Sequence, residues 1–318
     1  MNIIRMVLCV FAACVTAGAH AKNWPARPVK FFIGSAPGSG PDVNLRLLSD
    51  RLSKMWGQSV VIENRPGAGG IAGTAAAASA PADGYNFLYG LTSALAMNQY
   101  LLKSMPFDPE KDLVPVVGAG VTPMVIAVNP SLPVTSIAQL IALAKSQPGK
   151  VTVGTTSKTA AHLTIASFAA TAGVEFLHAH YKSAPNALQD MMAGQVQVFS
   201  DALAAIPNFK DPKVRILALT YPKRLPNMPD IPVVAETLPG FVSYGWYAIM
   251  APTGTPADAI ARVNRDVNTA VNTPELATRL RDLGTYDAGG TPEQLDRFIR
   301  AERERLRNAV AAAKIEKE

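Results

Sequence analysis

Cysteine is nearly missing from this chain. Its 318 residues contain two, Cys9 and Cys14, and both lie close to the start. Beyond them there is no thiol to act as a nucleophile, to ligate a metal or to form a disulfide. Such a chain must draw its stability from a large apolar core. Histidine is scarce too, with four in all. No G-x-S-x-G elbow is present, so nothing marks a hydrolytic nucleophile. Excess charge of one sign is also lacking. Thirty basic residues face 24 acidic ones, and the net charge is +6. That balance suits a small anionic ligand. It does not suggest a nucleic-acid partner, because no basic stripe interleaves with aromatics. The C-terminal "RAERERLRNAVAAAKIEKE" is charged but mixed in sign, which reads as a solvated helix face.

The N-terminal residues have the anatomy of an export signal. Arg5 supplies a positive charge, residues 6–18 are apolar or small, and Ala19-His20-Ala21 is an A-x-A cleavage pattern. The apolar run is short for a membrane span, which needs roughly 20 residues. Residues 1–21 are therefore expected to be removed, and the protein to be periplasmic. A lipoprotein anchored at Cys14 is the alternative. Cleavage takes away both cysteines and one histidine, leaving His162, His178 and His180. What remains has the length of about two domains.

Apolar strand-like runs then alternate with helical patterns. Strands are expected at 29–33, 60–62, 86–89, 125–128, 151–154, 174–178, 196–199, 214–219 and 246–250. Helices are expected at 43–55, 71–80, 136–145, 159–171, 185–193, 256–271, 274–283 and 292–312. Strict alternation argues for an α/β fold with parallel sheets covered by helices. Two such series occur. Turn-rich spans at 105–123 and 221–239 separate them and read as crossings between two lobes.

The motif that carries most chemistry is "SAPGSGPD", from Ser35 to Asp42. It joins a strand to a helix. Gly38 and Gly40 permit tight curvature, and Asp42 or Ser39 can cap the helix. Backbone N–H groups and the helix dipole then aim at one spot, which suits a carboxylate or phosphate. A P-loop is excluded because no Lys-Ser/Thr pair follows, and a dinucleotide fingerprint fails at Val43. "VGTTSKTAAHL" repeats the arrangement. A strand ends at Gly154, and Thr155, Thr156, Ser157 and Thr159 precede a helix. Two such loops, one per lobe, can close on one anion from opposite sides. "ENRPGAGGIAG" matches a dinucleotide motif by letter, yet Asn64-Arg65-Pro66 part it from its strand and no acid follows at the required distance. It reads as a turn that lets a helix pack close to the sheet. His178 and His180 share a strand face but lack an evident third ligand, so no metal is expected. Tyr181 and Lys182 are placed to serve the cleft, and Asp201 ends a strand where α/β sheets present ligand groups. No cofactor is expected.

Four segments together resemble the substrate-binding proteins of tripartite tricarboxylate transporters, the Bug or TctC family. They are "WPARPVKFFIGSAPGSGPDVNLRLLSDRL", "VVIENRPGAGGIAGTAAAASAPADGYNFL", "HAHYKSAPNALQDMMAGQVQVFSDAL" and "MAPTGTPADAIARVNRDVNTAV". The resemblance covers essentially the whole mature chain. It implies a two-lobed periplasmic binding protein of type II-like architecture, with a ligand cleft between the lobes. It implies residues 22–122 plus 245–318 for one lobe and 123–244 for the other. It also implies a monomeric, non-catalytic receptor for a small organic carboxylate that serves membrane transporter subunits. A sensor kinase as partner, and an exported serine hydrolase, are the alternatives. The family's ligand loops correspond here to Ala36, Pro37, Gly38, Ser39, Gly40 and Asp42, and to Thr155, Thr156, Ser157 and Thr159. Thr92, Ser93 and Asp201 match further cleft positions. The sequence departs from the family at Pro41, which has no N–H to donate, at Lys158, and at Ser183 in Tyr181-Lys182-Ser183.

Overall fold

The computed structural model describes residues 24–313 and Lys317. The export signal and the Cys14 alternative lie outside the described residues.

Strand β1 (Val29–Ile33) is buried at every position but Lys30, as an interior parallel strand must be. It pairs in parallel with β2 (Val60–Asn64) and with β3 (Asn86–Leu91). Helix α1 (Gly40–Trp56) follows β1. Pro41 fits its first turn, and Gly57 ends it in the left-handed conformation, donating its N–H to Ser53 at 3.0 Å. Helix α2 (Ile71–Ala78) packs against the end of β1 through glycines. A methyl on Gly73 would come 2.5 Å from the Gly34 nitrogen.

The second half repeats the plan. Strand β5 (Thr152–Thr156) pairs in parallel with β6 (Leu177–Tyr181) and β7 (Val198–Ala202). Helix α4 (Ala160–Ala172) follows β5 as α1 follows β1, and it too stops at a left-handed glycine, Gly173. Helices α3 (Ile137–Ser146) and α5 (Ala184–Met192) and strand β8 (Arg215–Leu219) complete this half.

Two long strands join the halves. β4 (Leu113–Val128) and β9 (Tyr244–Pro252) run antiparallel, so the sheets are mixed and not purely parallel. Residues 113–123 of β4 pair with β9, and residues 124–128 pair with β7 and β8. The span 105–123 is therefore largely strand, against the turn-rich reading. Its Pro115, Gly118 and Gly120 lie where the register shifts, which is where a strand tolerates proline and glycine. The whole path runs β2-β1-β3-β9-β4-β7-β5-β6, with β8 beside β4.

Each half has apolar cores on both faces of its sheet. In the first half, Phe31, Leu45, Leu52, Val263 and Leu276 pack on one face, and Phe32, Leu88, Trp246, Ile299 and Leu306 on the other. These draw in α6 (Ala257–Val271), α7 (Pro274–Asp282) and α8 (Pro292–Ala312). The second half has Val153, Ile165 and Phe168 on one face and Leu188, Met191 and Phe199 on the other. Fully burying one such side chain stabilises by roughly 1.5–3 kcal/mol. The result is a two-lobed α/β molecule, with the lobes joined through β4 and β9.

Candidate functional site

A cavity of about 590 Å³ lies between the lobes. The carboxyl ends of β1 and β5 both open into it, where open α/β sheets hold ligands. From the first lobe come Ser35, Ala36, Ser39, Gly40 and Pro41. Opposite stand Thr156, Ser157, Lys158, Thr159, Ala160 and Ala161. The cavity therefore receives the N-termini of both α1 and α4. Their first-turn N–H groups lack acceptors within the helices, and their dipoles favour an anion.

Of the expected residues, Ala36, Ser39, Gly40, Thr92, Ser93, Thr156, Ser157, Thr159, Tyr181 and Asp201 line this cavity. Pro37, Gly38, Asp42 and Thr155 do not. Pro37 and Gly38 are exposed outside it. Thr155 is fully buried behind it. Asp42, also buried, secures the loop from behind. Its carboxylate accepts from the Gly38 N–H at 2.8 Å, from Asn64 Nδ2 at 2.8 Å and from Arg46 at 2.8 and 3.0 Å. Burial alone would raise this carboxyl. The hydrogen bonds from Arg46, Asn64 and Gly38 outweigh that and hold it below the usual carboxylate range.

Most hydroxyls on the cavity wall shape the wall itself. Neither Ser39 nor Asp42 caps α1 through its side chain, because Ser39 Oγ donates to the Ala36 carbonyl at 2.7 Å. Thr159 Oγ1 donates to the Thr156 carbonyl at 2.6 Å. Thr92 Oγ1 accepts from Trp246 N at 2.6 Å and donates to Trp246 O at 2.9 Å, tying β3 to β9. Ser93 Oγ donates to the Gly69 carbonyl at 2.6 Å. Tyr181 lines the cavity, and its hydroxyl donates to Asp190 at 2.7 Å. Burial, then Asp190, push that phenol up to about 12.

Asp201 is different. It lines the cavity, and its Oδ2 accepts from Thr156 Oγ1 at 3.1 Å while its Oδ1 accepts from the Ala202 N–H at 2.7 Å. Partly accessible from the cleft but enclosed by protein, it is pushed up to about 6 by burial, which those two hydrogen bonds only partly offset.

Sequence reasoning missed two parts of the wall. The first is Gly67 to Gly70, set aside as a packing turn. It packs α2 against β1 and also lines the cavity. Gly69 has a φ of +65°, and a methyl there would come 2.0 Å from the Lys158 carbonyl oxygen of the other lobe. Only a residue without a side chain lets the lobes meet here. The glycine run was the available signal. The second part is Gly245, Trp246 and Tyr247 of β9, with Thr122 and Met124 of β4. Nothing local marks them, since long-range strand pairing brings them in.

The three histidines gather away from the cavity wall, between α4 and edge strand β6. Their ring centroids are 5.1, 5.9 and 6.1 Å apart. Burial, then the neighbouring His180, push His178 down. Among the described residues, no group of three or more His, Cys, Asp or Glu is placed to hold a metal ion.

Comparison with known proteins gives a consistent picture. The family model described as tripartite tricarboxylate transporter family receptor matches residues 44–315. Protein BugT of Bordetella pertussis is 34% identical over 98% of this chain and 98% of its own length. A UPF0065 protein of Bordetella bronchiseptica is 35% identical over 96% of this chain and 91% of its own. Among solved structures, an R. palustris protein with adipate superposes with a TM-score of 0.90 at 33% identity, covering 93% of this chain and all 100% of that one. MatC from Rhodopseudomonas palustris with bound malate gives 0.83 at 26% identity, covering 90% and 100%.

Proposed function

The chain belongs to the tripartite tricarboxylate transporter family of receptors, and on that premise we propose that it is a periplasmic receptor for a small organic carboxylate. It binds the solute between its lobes and performs no chemistry on it. It then presents the closed, loaded form to the membrane subunits of a transporter. The lobes are residues 22–122 plus 245–318 and residues 123–244, with the dividing line crossing β4 and β9.

The observation that carries this reading is the convergence of two helix N-termini, at Gly40 and Ala160, on one cavity from opposite lobes. One carboxylate can accept from both, so binding favours closure. Relatives solved with adipate and with malate support the solute class. The non-catalytic reading is supported by the serines of the wall, which carry no activating base. Ser39 and Ser93 spend their hydroxyl protons on backbone carbonyls, and none of the three described histidines lines the cavity.

A thermal-shift screen of mono-, di- and tricarboxylates, followed by calorimetry, tests the reading. At least one carboxylate is expected to raise the melting temperature and bind one to one. Failure of the whole series to bind would overturn it.

A further inference from the structure

The cavity is not uniformly suited to anions. Beside the two helix N-termini its wall carries a carboxylate, Asp201, and a tyrosine, Tyr247. A carboxylate has about four lone-pair directions. Thr156 Oγ1 and the Ala202 N–H occupy two of those on Asp201. Tyr247 is 5% exposed and lines the same cavity. Its hydroxyl has no hydrogen-bond partner of acceptable geometry, although Thr122 stands near it. An unpartnered buried hydroxyl is costly, and a ligand group recovers that cost by pairing with it. Burial, then the charge of Asp201, raise the Tyr247 phenol.

We propose that Asp201 and Tyr247 select the far end of the solute, taking a hydroxyl or ammonium group that donates to Asp201 and pairs with the Tyr247 oxygen. The preferred solute is then a carboxylate bearing a hydrogen-bond donor at its other end. A second ionised carboxylate is disfavoured there, because it would lie against Asp201 with no proton between them. This deepens the carboxylate reading and rests on it.

The proposal also fixes a pH dependence. The other titratable groups on the cavity wall are Lys158, Tyr181, Lys182 and Tyr247. A donor binds the ionised form of Asp201, so affinity for a hydroxy acid rises as pH passes upward through about 6 and levels off above it. A dicarboxylate sharing a proton with Asp201 would behave in the opposite way.

The test is calorimetric titration of wild type with matched four- and six-carbon acids ending in methyl, hydroxyl, ammonium or carboxylate. Hydroxyl- or ammonium-terminated members are expected to bind about tenfold tighter than methyl- or carboxylate-terminated ones. Asp201→Asn should abolish that preference and improve binding of the dicarboxylate, which a merely structural role would not do. Tyr247→Phe removes one unpaired hydroxyl, so it should keep the fold and lose about threefold for the hydroxy acid. Wild-type preference for the dicarboxylate, or a donor preference that survives in Asp201→Asn, would overturn the proposal while leaving the carboxylate reading intact. No binding by any member, in any of the three proteins, would overturn that reading and the proposal with it.

Discussion

Two aspartates show how burial and partners decide a residue's task. Asp42 is buried among donors and Asp201 is enclosed with few. Asp42 has a lowered folded pKa, so its stabilisation is present above the unfolded value of 3.8 and is lost as pH falls through the lower folded value. Asp201 has a folded pKa raised to about 6, so the folded state resists its ionisation. That penalty is absent below 3.8, grows between 3.8 and about 6, and is complete above. Thermal or urea melts across pH should therefore separate two isosteric variants. At pH 7 Asp42→Asn should be less stable than wild type by about 1–3 kcal/mol. Asp201→Asn should be more stable by a similar order, about 1–3 kcal/mol. Both differences should fade in strong acid, and equal signs at pH 7 would contradict the account. The sequence placed both residues at strand–helix junctions, and so both read as ligand groups. It could not show that Arg46 and Asn64 turn Asp42 away from the cavity, because Asn64 arrives from a neighbouring strand.

Elements were more legible than contacts. β1 and the helices of both lobes follow local apolar periodicity, so their positions emerge within a few residues. The two strand–helix loops that line the cavity were legible for the same reason, since glycine, serine and threonine at a strand–helix junction act locally. β4 was not legible over its first half, because proline and glycine signal turns unless a partner strand absorbs the irregularity. β9 does so here. The Gly67–Gly70 loop was seen, but its reach across the cleft was hidden. Gly69→Ala tests that reach. A methyl there meets the Lys158 carbonyl at 2.0 Å, so the lobes cannot close as they do. Carboxylate affinity should fall by about tenfold or more. Gly57→Ala is the control. Its φ of +62° imposes similar backbone strain, but nothing lies within 4 Å of the added carbon. It should lose stability and keep affinity. Equal affinity losses in the two variants would remove the steric argument.

Across the whole molecule, two similar halves each bring one helix N-terminus to a shared cavity. β4 and β9 connect them, and small residues let them touch. Besides Gly69, Gly40 meets Ala204 and Gly284 meets Leu203 across the lobes. These close approaches bring the lobes into contact around the cavity. The family resemblance was legible in four sequence segments, and with it the two-lobed plan. The solute was not, because the cavity's far end is assembled from β5, β7 and β9, which are distant in sequence. The most direct test of the central claim is small-angle scattering from wild type, with and without the carboxylate that binds best, at saturation verified by calorimetry. The radius of gyration is expected to fall on binding. An unchanged radius in the fully loaded protein would contradict the claim that the lobes close on their ligand.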